Sequence, residues 1–445
     1  MNYLQFGIYF LTFMLTEAFV NERAVATIGV DLVNYVYAVG LLFTAAGYYS
    51  FSLIKGKIKK TVELYMMTLT AVSFLGLTFL NYRITVLIFG YLSLLLLGYV
   101  GGYVHYTMGF SINDELFGMK LGISASLAIV LQFIIQNVIS ATMEWAVVLM
   151  LMAIFIIITP WVKKISEDVA LSISLPISGI SITSRILVYG LCVAIMSVIL
   201  GFQDSIMVAR NAAGEIELFS CVRLFYALGL FLAGLVAQLK DRVYLPLAAG
   251  CAMILSVLAI SFLERSVVLY NLSMSLMYFY SGFYVVFLTI MFMELGIRRS
   301  NMELYGGMGR VVRCVATCVT VLFTSLLGSV VPSKIYAVLS CILSIGLIIV
   351  MALSGILIPE RRIIDEVLVP ADETSFEEKL TKIYEQYGLT PKEQEIFSQL
   401  VTTELGVQEI ADEMFVSRRV LQRHIAAIYE KTGAKTRVGL LMLLK

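Results

Sequence analysis

The chain has 445 residues, of which 60% are hydrophobic and 14% charged, with a mean hydropathy of +0.90. Soluble domains run at about 45 to 50% apolar and about 25% charged, so a wholly soluble protein is excluded and a polytopic membrane protein is predicted. The net charge of +1 by itself decides nothing about partners.

From the N-terminus, residues 1–20 lack the basic start and small-residue cleavage site of a signal peptide and are read as a retained first span. Apolar runs long enough to cross ~30 Å of hydrocarbon lie at 2–20, 30–54, 61–80, 84–106, 121–140 and 146–162. After a polar connection, 163–185, they resume at 186–207, 218–239, 243–263, 267–293, 305–331 and 335–358. Twelve spans are predicted, six and six. Trp145 and Trp161 bracket the sixth, as interfacial anchors do. The cysteines, Cys192, Cys221, Cys251, Cys314, Cys318 and Cys341, sit in apolar runs without metal-ligand spacing. No cofactor, metal site or catalytic group is expected: no nucleophile with a base and no phosphate-binding glycine loop is visible.

Cytoplasmic loops retain Lys and Arg. The loops after even-numbered spans hold Lys55, Lys57, Lys59, Lys60, Lys120, Lys163, Lys164, Arg185, Lys240, Arg242, Arg298, Arg299, Arg361 and Arg362. The opposite loops hold Arg23, Arg83, Arg210, Arg265 and Lys334. The bias places both termini in the cytoplasm.

Two sets of six spans around a longer cytoplasmic loop resemble the major facilitator superfamily. Gly234-Leu-Val-Ala-Gln-Leu-Lys-Asp-Arg242 is similar to that family's Gly-x-Leu-Ala-Asp-Arg loop, with Gln238 in place of Asp. The first-half counterpart ending Lys55-Gly-Lys-Ile-Lys-Lys60 keeps the basic residues and Gly56. The resemblance implies two pseudo-symmetric halves about a midplane cavity.

Pro359 ends the twelfth span and Pro370 interrupts the stretch after it. Ser375-Phe-Glu-Glu378 reads as a capping box, and Phe376, Leu380, Ile383 and Tyr384 recur on one helical face. This predicts an amphipathic helix ending at Gly388, either a spacer packed on the tail or a signalling element.

The tail from Leu389 resembles the LuxR (GerE) type helix-turn-helix. The matching stretches are Leu389-Thr-Pro-Lys-Glu-Gln-Glu-Ile396, Gln408-Glu-Ile-Ala411, Met414-Phe-Val-Ser417, and Ile428-Tyr-Glu-Lys-Thr-Gly433 with Arg437. The fold expected is therefore all-α: a twelve-span bundle (1–358), a linker with a helix (359–388) and a four-helix DNA-binding domain (389–445). Thr390 should cap the first tail helix, and Ser417 the third, whose first turn enters the major groove in this motif class. Ser417, Arg418, Arg419, Gln422, Arg423, His424 and Lys431 are the candidate DNA-binding residues. Arginine can grip guanine or neutralise phosphate and glutamine can read adenine, and the sequence leaves open which does what. Val420, Leu421, Ile425 and Ile428 should face the core. The last helix, with Val438, Leu441, Met442 and Leu444, is the family's dimer contact or else closes the core.

Ionisable and polar groups inside spans are costly enough to mark function. Glu17, Gln132, Gln136, Asp204, Arg223 and Asn271 are the candidate ligand-binding residues, with Asp204 and Arg223 read first as a structural pair and otherwise Arg223 as the receiver of a ligand carboxylate. Arg310 and Arg313 are read as snorkelling anchors, and His105 as interfacial. The combined layout resembles membrane-anchored LuxR-type regulators with a carrier-like sensor. It implies a one-component transcriptional regulator whose partners are DNA, the membrane and a small-molecule ligand, with dimerisation of the helix-turn-helix domains. A secondary transporter with a regulatory tail is the alternative.

Overall fold

A computed structural model describes residues 1–54, 57–140, 143–170, 182–212, 220–242, 244–260, 267–298, 301–327, 333–354, 356, 373–403, 407–414, 416–434 and 436–443. The basic residues at 55–60, the side chains of 163–184, the capping box at Ser375 and Glu378, and Val438, Met442 and Leu444 fall outside the described side chains. The described helices through Leu353 form one compact unit and those from Glu373 onward a second.

The first unit holds α1 (Asn2–Ile28), α2 (Val33–Leu53), α3 (Lys57–Phe79), α4 (Arg83–Gly109), α5 (Phe117–Val138) and α6 (Glu144–Ala170). It continues with α7 (Ile182–Ala212), α8 (Leu224–Val236), α9 (Leu245–Ile260), α10 (Val267–Arg298), α11 (Met302–Leu327) and α12 (Ser333–Leu353). Among the described residues nine helices are long and apolar enough to cross a membrane, and Tyr65–Phe79, Cys221–Val236 and Leu245–Ala259 are shorter apolar stretches. Together they account for the twelve expected spans. Helices such as α10 overrun their apolar core because a helix already satisfies its own backbone and has no reason to stop where the hydrocarbon does.

The two halves repeat one packing scheme. In the first, α4 lies against α1, α2 and α3, α1 also against α5 and α6, and α3 against α6. In the second, α10 lies against α7, α8 and α9, α7 also against α11 and α12, and α9 against α12. The halves meet through α2 with α11 and α5 with α8, which are themselves counterparts. The hydrophobic effect gives no drive between helices in lipid, so close approach of backbones must supply the packing. At the α5–α8 seam a Cβ on Gly122 would lie 2.7 Å from the Gly234 Cα and 2.8 Å from the Leu230 carbonyl oxygen. Only glycine fits there.

Helix α11 is two-faced. Arg310, Cys314, Thr317, Cys318, Val321 and Thr324 are buried, whereas Val315, Val319, Phe323 and Leu326 are not covered by the chain. With 3.6 residues per turn this puts a polar stripe toward α2, α7 and α10 and an apolar stripe outward.

The second unit comprises α13 (Glu373–Gln386), α14 (Pro391–Thr402), α15 (Val407–Glu413), α16 (Arg418–Thr432) and α17 (Arg437–Met442). Its core is Ile396, Phe397, Leu400, Ile410, Leu421, Ile428 and Leu440, joined by Leu380 and Ile383 of α13. The amphipathic helix thus belongs to the tail's own core. Tyr384 adds an edge contact with Phe397, ring centroids 5.9 Å apart, and donates from its hydroxyl to the Gln394 carbonyl at 3.3 Å.

Candidate nucleic-acid and ligand sites

Helix α16 is held by contacts at both ends. Ser417 accepts from the Val420 amide at 3.4 Å, so its side chain caps the helix as the sequence predicts. Gly433 ends it with φ 73°, donating to the Tyr429 carbonyl; a left-handed residue at this place favours glycine. Leu421, Ile425 and Ile428 are buried, while Arg418, Arg419, Gln422 and Arg423 are exposed on the opposite face and His424 is half-buried. The turns before and after α16 thereby present three guanidinium groups and a carboxamide on its first two turns. Val420, expected in the core, is half-buried.

Lys431 sits elsewhere. Its ammonium is 2.6 Å from the Glu393 carboxylate and donates to the Gly388 carbonyl at 3.2 Å, tying the end of α16 to the start of α14. Glu393 also accepts from the Thr390 amide at 2.8 Å while Thr390 accepts from the Glu393 amide, a complete capping box. The lysine and the two cap bonds hold the Glu393 carboxyl down, from an ordinary 4.5 to about 2. Arg437 is a clamp too: its guanidinium donates to the carbonyls of Leu400 at 2.5 Å and of Thr403, satisfying the end of α14. In α17, Leu440 and Leu441 are buried in the tail's own core.

In the membrane unit the structure brings together residues from six helices and a turn. Arg223, at the end of the 3-10 turn Cys221–Arg223, donates to the Gln132 side chain of α5 at 3.0 Å. Its guanidinium lies 5.9 Å from the Tyr226 ring centroid and 5.5 Å from that of Tyr278. Glu17 of α1 and Asp204 of α7 both lie in the electrostatic field of Arg223 and Arg313. Asp204 forms no hydrogen bond or ion pair among the described side chains. The expected Asp204–Arg223 pair is therefore replaced by Arg223–Gln132, with Asp204 acting through space.

Three other expectations are corrected. Arg310 does not snorkel: it is 4% exposed, stacked on Phe10 at 5.5 Å, because α11 turns its polar stripe inward. His105 is not interfacial but buried, its Nδ1 2.8 Å from the Gly101 carbonyl and its ring edge-on to Phe6 and Tyr48. Asn271 is exposed near the start of α10, away from the cluster's Tyr278. Gln132 is fully buried and Gln136 half-buried with both amide atoms unpartnered. Sequence reading passed over Tyr226 and Phe10; an aromatic in an apolar run carries no local mark of what it faces.

The Gly234–Arg242 loop closes across the halves. Arg242 pairs with Glu294 of α10 at 2.7 Å, donates to the Ile112 carbonyl of the α4–α5 loop at 2.5 Å, and lies 5.3 Å over the Phe117 ring. Gln238 donates to the Glu115 carbonyl of the same loop. Beside it, Asp114 is held below the usual carboxylate range, chiefly by its bond from Lys120 at 2.6 Å. Glu294 ends an apolar run, and its role became visible only once the loop was placed.

Comparison with known proteins agrees with this division. Residues 388–444 match the family model of bacterial regulatory proteins of the luxR family, so the tail is a LuxR-type helix-turn-helix domain. The human organic anion transporter MFSD10 (TETRAN) superposes with a TM-score of 0.55 at 15% identity, over 78% of this chain and 97% of that one. The proton:xylose symporter XylE, a major facilitator superfamily protein, gives 0.54 at 10% identity, over 79% and 94%. At such identities the likeness establishes the fold, that of the major facilitator superfamily, and nothing finer. No curated protein matches the sequence.

Proposed function

We propose that this chain is a membrane-embedded one-component transcriptional regulator, which senses a small molecule in its twelve-helix unit and binds DNA through its tail. The carrying observation is a LuxR-type domain with an exposed Arg418, Arg419, Gln422 and Arg423 face in one chain with a transporter-fold bundle whose halves enclose buried charge. Arg419 and Arg423 are one helical turn apart and suited to groove contact, with Arg418 and Gln422 beside them and His424 at the edge. Ser417 serves by capping, and Lys431 is committed to Glu393. Because three exposed arginines give one tail limited phosphate contact, two tails act together on DNA. The membrane is the inner one, with both termini in the cytoplasm, and the sensing residues are Glu17, Gln132, Gln136, Asp204 and Arg223. Boundaries near 358 and 388 separate sensor, linker and DNA-binding domain, with α13 working as part of the last. Control requires a ligand with different affinities for two states of the bundle.

Chromatin precipitation of the full-length protein from its host, beside an Arg419→Ala/Arg423→Ala double variant, tests this reading. Discrete peaks lost in the variant are expected. Absence of enrichment in every condition would overturn it in favour of transport, which the contacts of Arg242 and Gln238 with the α4–α5 loop across the halves also support; uptake assays in vesicles discriminate.

A further inference from the structure

Among the described residues, the charge of one cluster in the membrane unit does not balance. We infer that the cluster between α1, α7, α11 and the Cys221–Arg223 turn binds a small organic monoanion, a carboxylate on an aromatic or apolar body, with Arg310 as a principal anion contact. This rests on the proposed sensing role and names its ligand class.

Among the described residues, three guanidinium groups, Arg223, Arg310 and Arg313, share the cluster with two carboxylates, Glu17 and Asp204. Arginine stays protonated in proteins, whereas carboxylates can take up a proton, so the net charge of these five groups lies between +1, with both acids ionised, and +3, with neither. A net cation within the bilayer's span is costly unless paired. Arg223 already has Gln132. Arg310 has none: it is 4% exposed, its Nε is buried without a partner, and its guanidinium makes no hydrogen bond to any described residue. Leaving a buried charged donor unsatisfied costs more than an ordinary hydrogen bond returns, and a bidentate carboxylate is the geometric match for that fork.

The body of the ligand is set by the surroundings. Arg310 stacks on Phe10, Phe10 meets Tyr226 edge-on at 6.4 Å, and Tyr226 stacks with Tyr278 at 6.5 Å, beside Arg223. An aromatic path thus runs from one arginine to the other. It suits a ring or short chain better than a sugar, which would require many more hydrogen-bonding partners. An amine is disfavoured, since it would add charge to a cluster already positive.

Both tryptophans, Trp145 and Trp161, lie in α6, so tryptophan fluorescence in thermal unfolding reports the membrane unit alone. Full-length protein in lipid nanodiscs is titrated with phenylacetate, 3-phenylpropionate and octanoate, with their primary amides, and with the amines of matching chain. Carboxylates should raise the midpoint, and amides and amines should not. Arg310→Gln should raise the half-saturating carboxylate concentration by roughly 10- to 100-fold. Arg310→Lys, which keeps the charge and loses the fork, should weaken it by about tenfold and stands in if the glutamine variant does not fold. Glu17→Gln, which fixes one of the two acids in its neutral state, should leave binding equal or tighter. Equal shifts from amides, shifts from amines alone, or no shift from any carboxylate overturn the proposal. DNA binding by the same preparations is footprinted separately. Carboxylate binding without DNA binding leaves the site standing and removes the regulator reading; DNA binding with amine or amide response leaves the regulator reading and removes the anion.

Discussion

Glu393 shows how much a single side chain can be asked to do. It is 5% exposed, completes the cap of α14 and receives Lys431 from the far end of α16. Glu393→Gln keeps the shape and removes the charge, and should cost the tail about 2 kcal/mol, the range of a lost cap plus a charged hydrogen bond. Hydrogen exchange of the full-length protein checks this: amides of 390–432 should exchange faster, with those of α1–α12 unchanged. The pH dependence has a fixed sign. A carboxyl held down in the folded state stabilises fully above its ordinary value near 4.5, and that stabilisation is lost as pH falls through about 2. Wild type and Glu393→Gln should therefore converge in exchange rate as acid is added; a gap that widens toward low pH would refute the assignment. The cap itself is legible in the sequence, since Thr390 and Glu393 stand three apart at the start of an apolar-periodic run. Its lysine partner, 38 residues away, reads instead as a DNA contact, because a cation at the end of a recognition helix carries no mark of which way it turns.

Among elements, α13 has the most to test. The sequence marks its apolar face, and the structure lays Leu380 and Ile383 of that face into the tail's core. Tyr384→Ala removes an edge contact and a hydrogen bond and should destabilise the α13 docking by about 2 to 3 kcal/mol. Limited proteolysis of the full-length protein should then cut within 373–388 sooner, whereas an unchanged cleavage rate would return α13 to the status of a spacer. At the α5–α8 seam, Gly234→Val places a side chain where the Gly122 Cα already lies 2.7 Å from an ideal Cβ. Overpacking of this kind costs roughly 1–3 kcal/mol, and the tryptophan-detected midpoint should fall. An equal substitution at Gly250, which meets nothing within 4 Å, should not move it. Spans were legible because a bilayer imposes a length on every apolar run. Neighbours were not, since what Arg223 touches depends on a contact 91 residues away. Asn271 illustrates the same limit. It lies seven residues before Tyr278, on nearly the same face of α10, yet it is exposed where Tyr278 is buried, because register along a helix says nothing about how far the surrounding bundle extends.

For the whole molecule, the question is whether the closure of the bundle reaches the DNA. Arg242, held at 2.7 Å by Glu294 of its own half, reaches the Ile112 carbonyl and the Phe117 ring of the other, and losing a charged hydrogen bond of this kind costs about 1.5–3 kcal/mol. A complete reversal of a two-state equilibrium, from 1:99 to 99:1, needs about 5.5 kcal/mol. Loss of the latch thus carries a bundle from almost wholly closed toward parity, and a ligand must supply the remainder. Arg242→Ala should therefore make DNA occupancy less dependent on ligand, shifting the unliganded value toward the liganded one, without touching the α16 face. Arg419→Ala should lower occupancy in both states alike. Chromatin precipitation with and without the three carboxylates separates the two behaviours. If Arg242→Ala folds, reaches the membrane and leaves both occupancies at wild-type levels, the latch belongs to transport alone and the tail takes its instructions from something other than the opening of these halves.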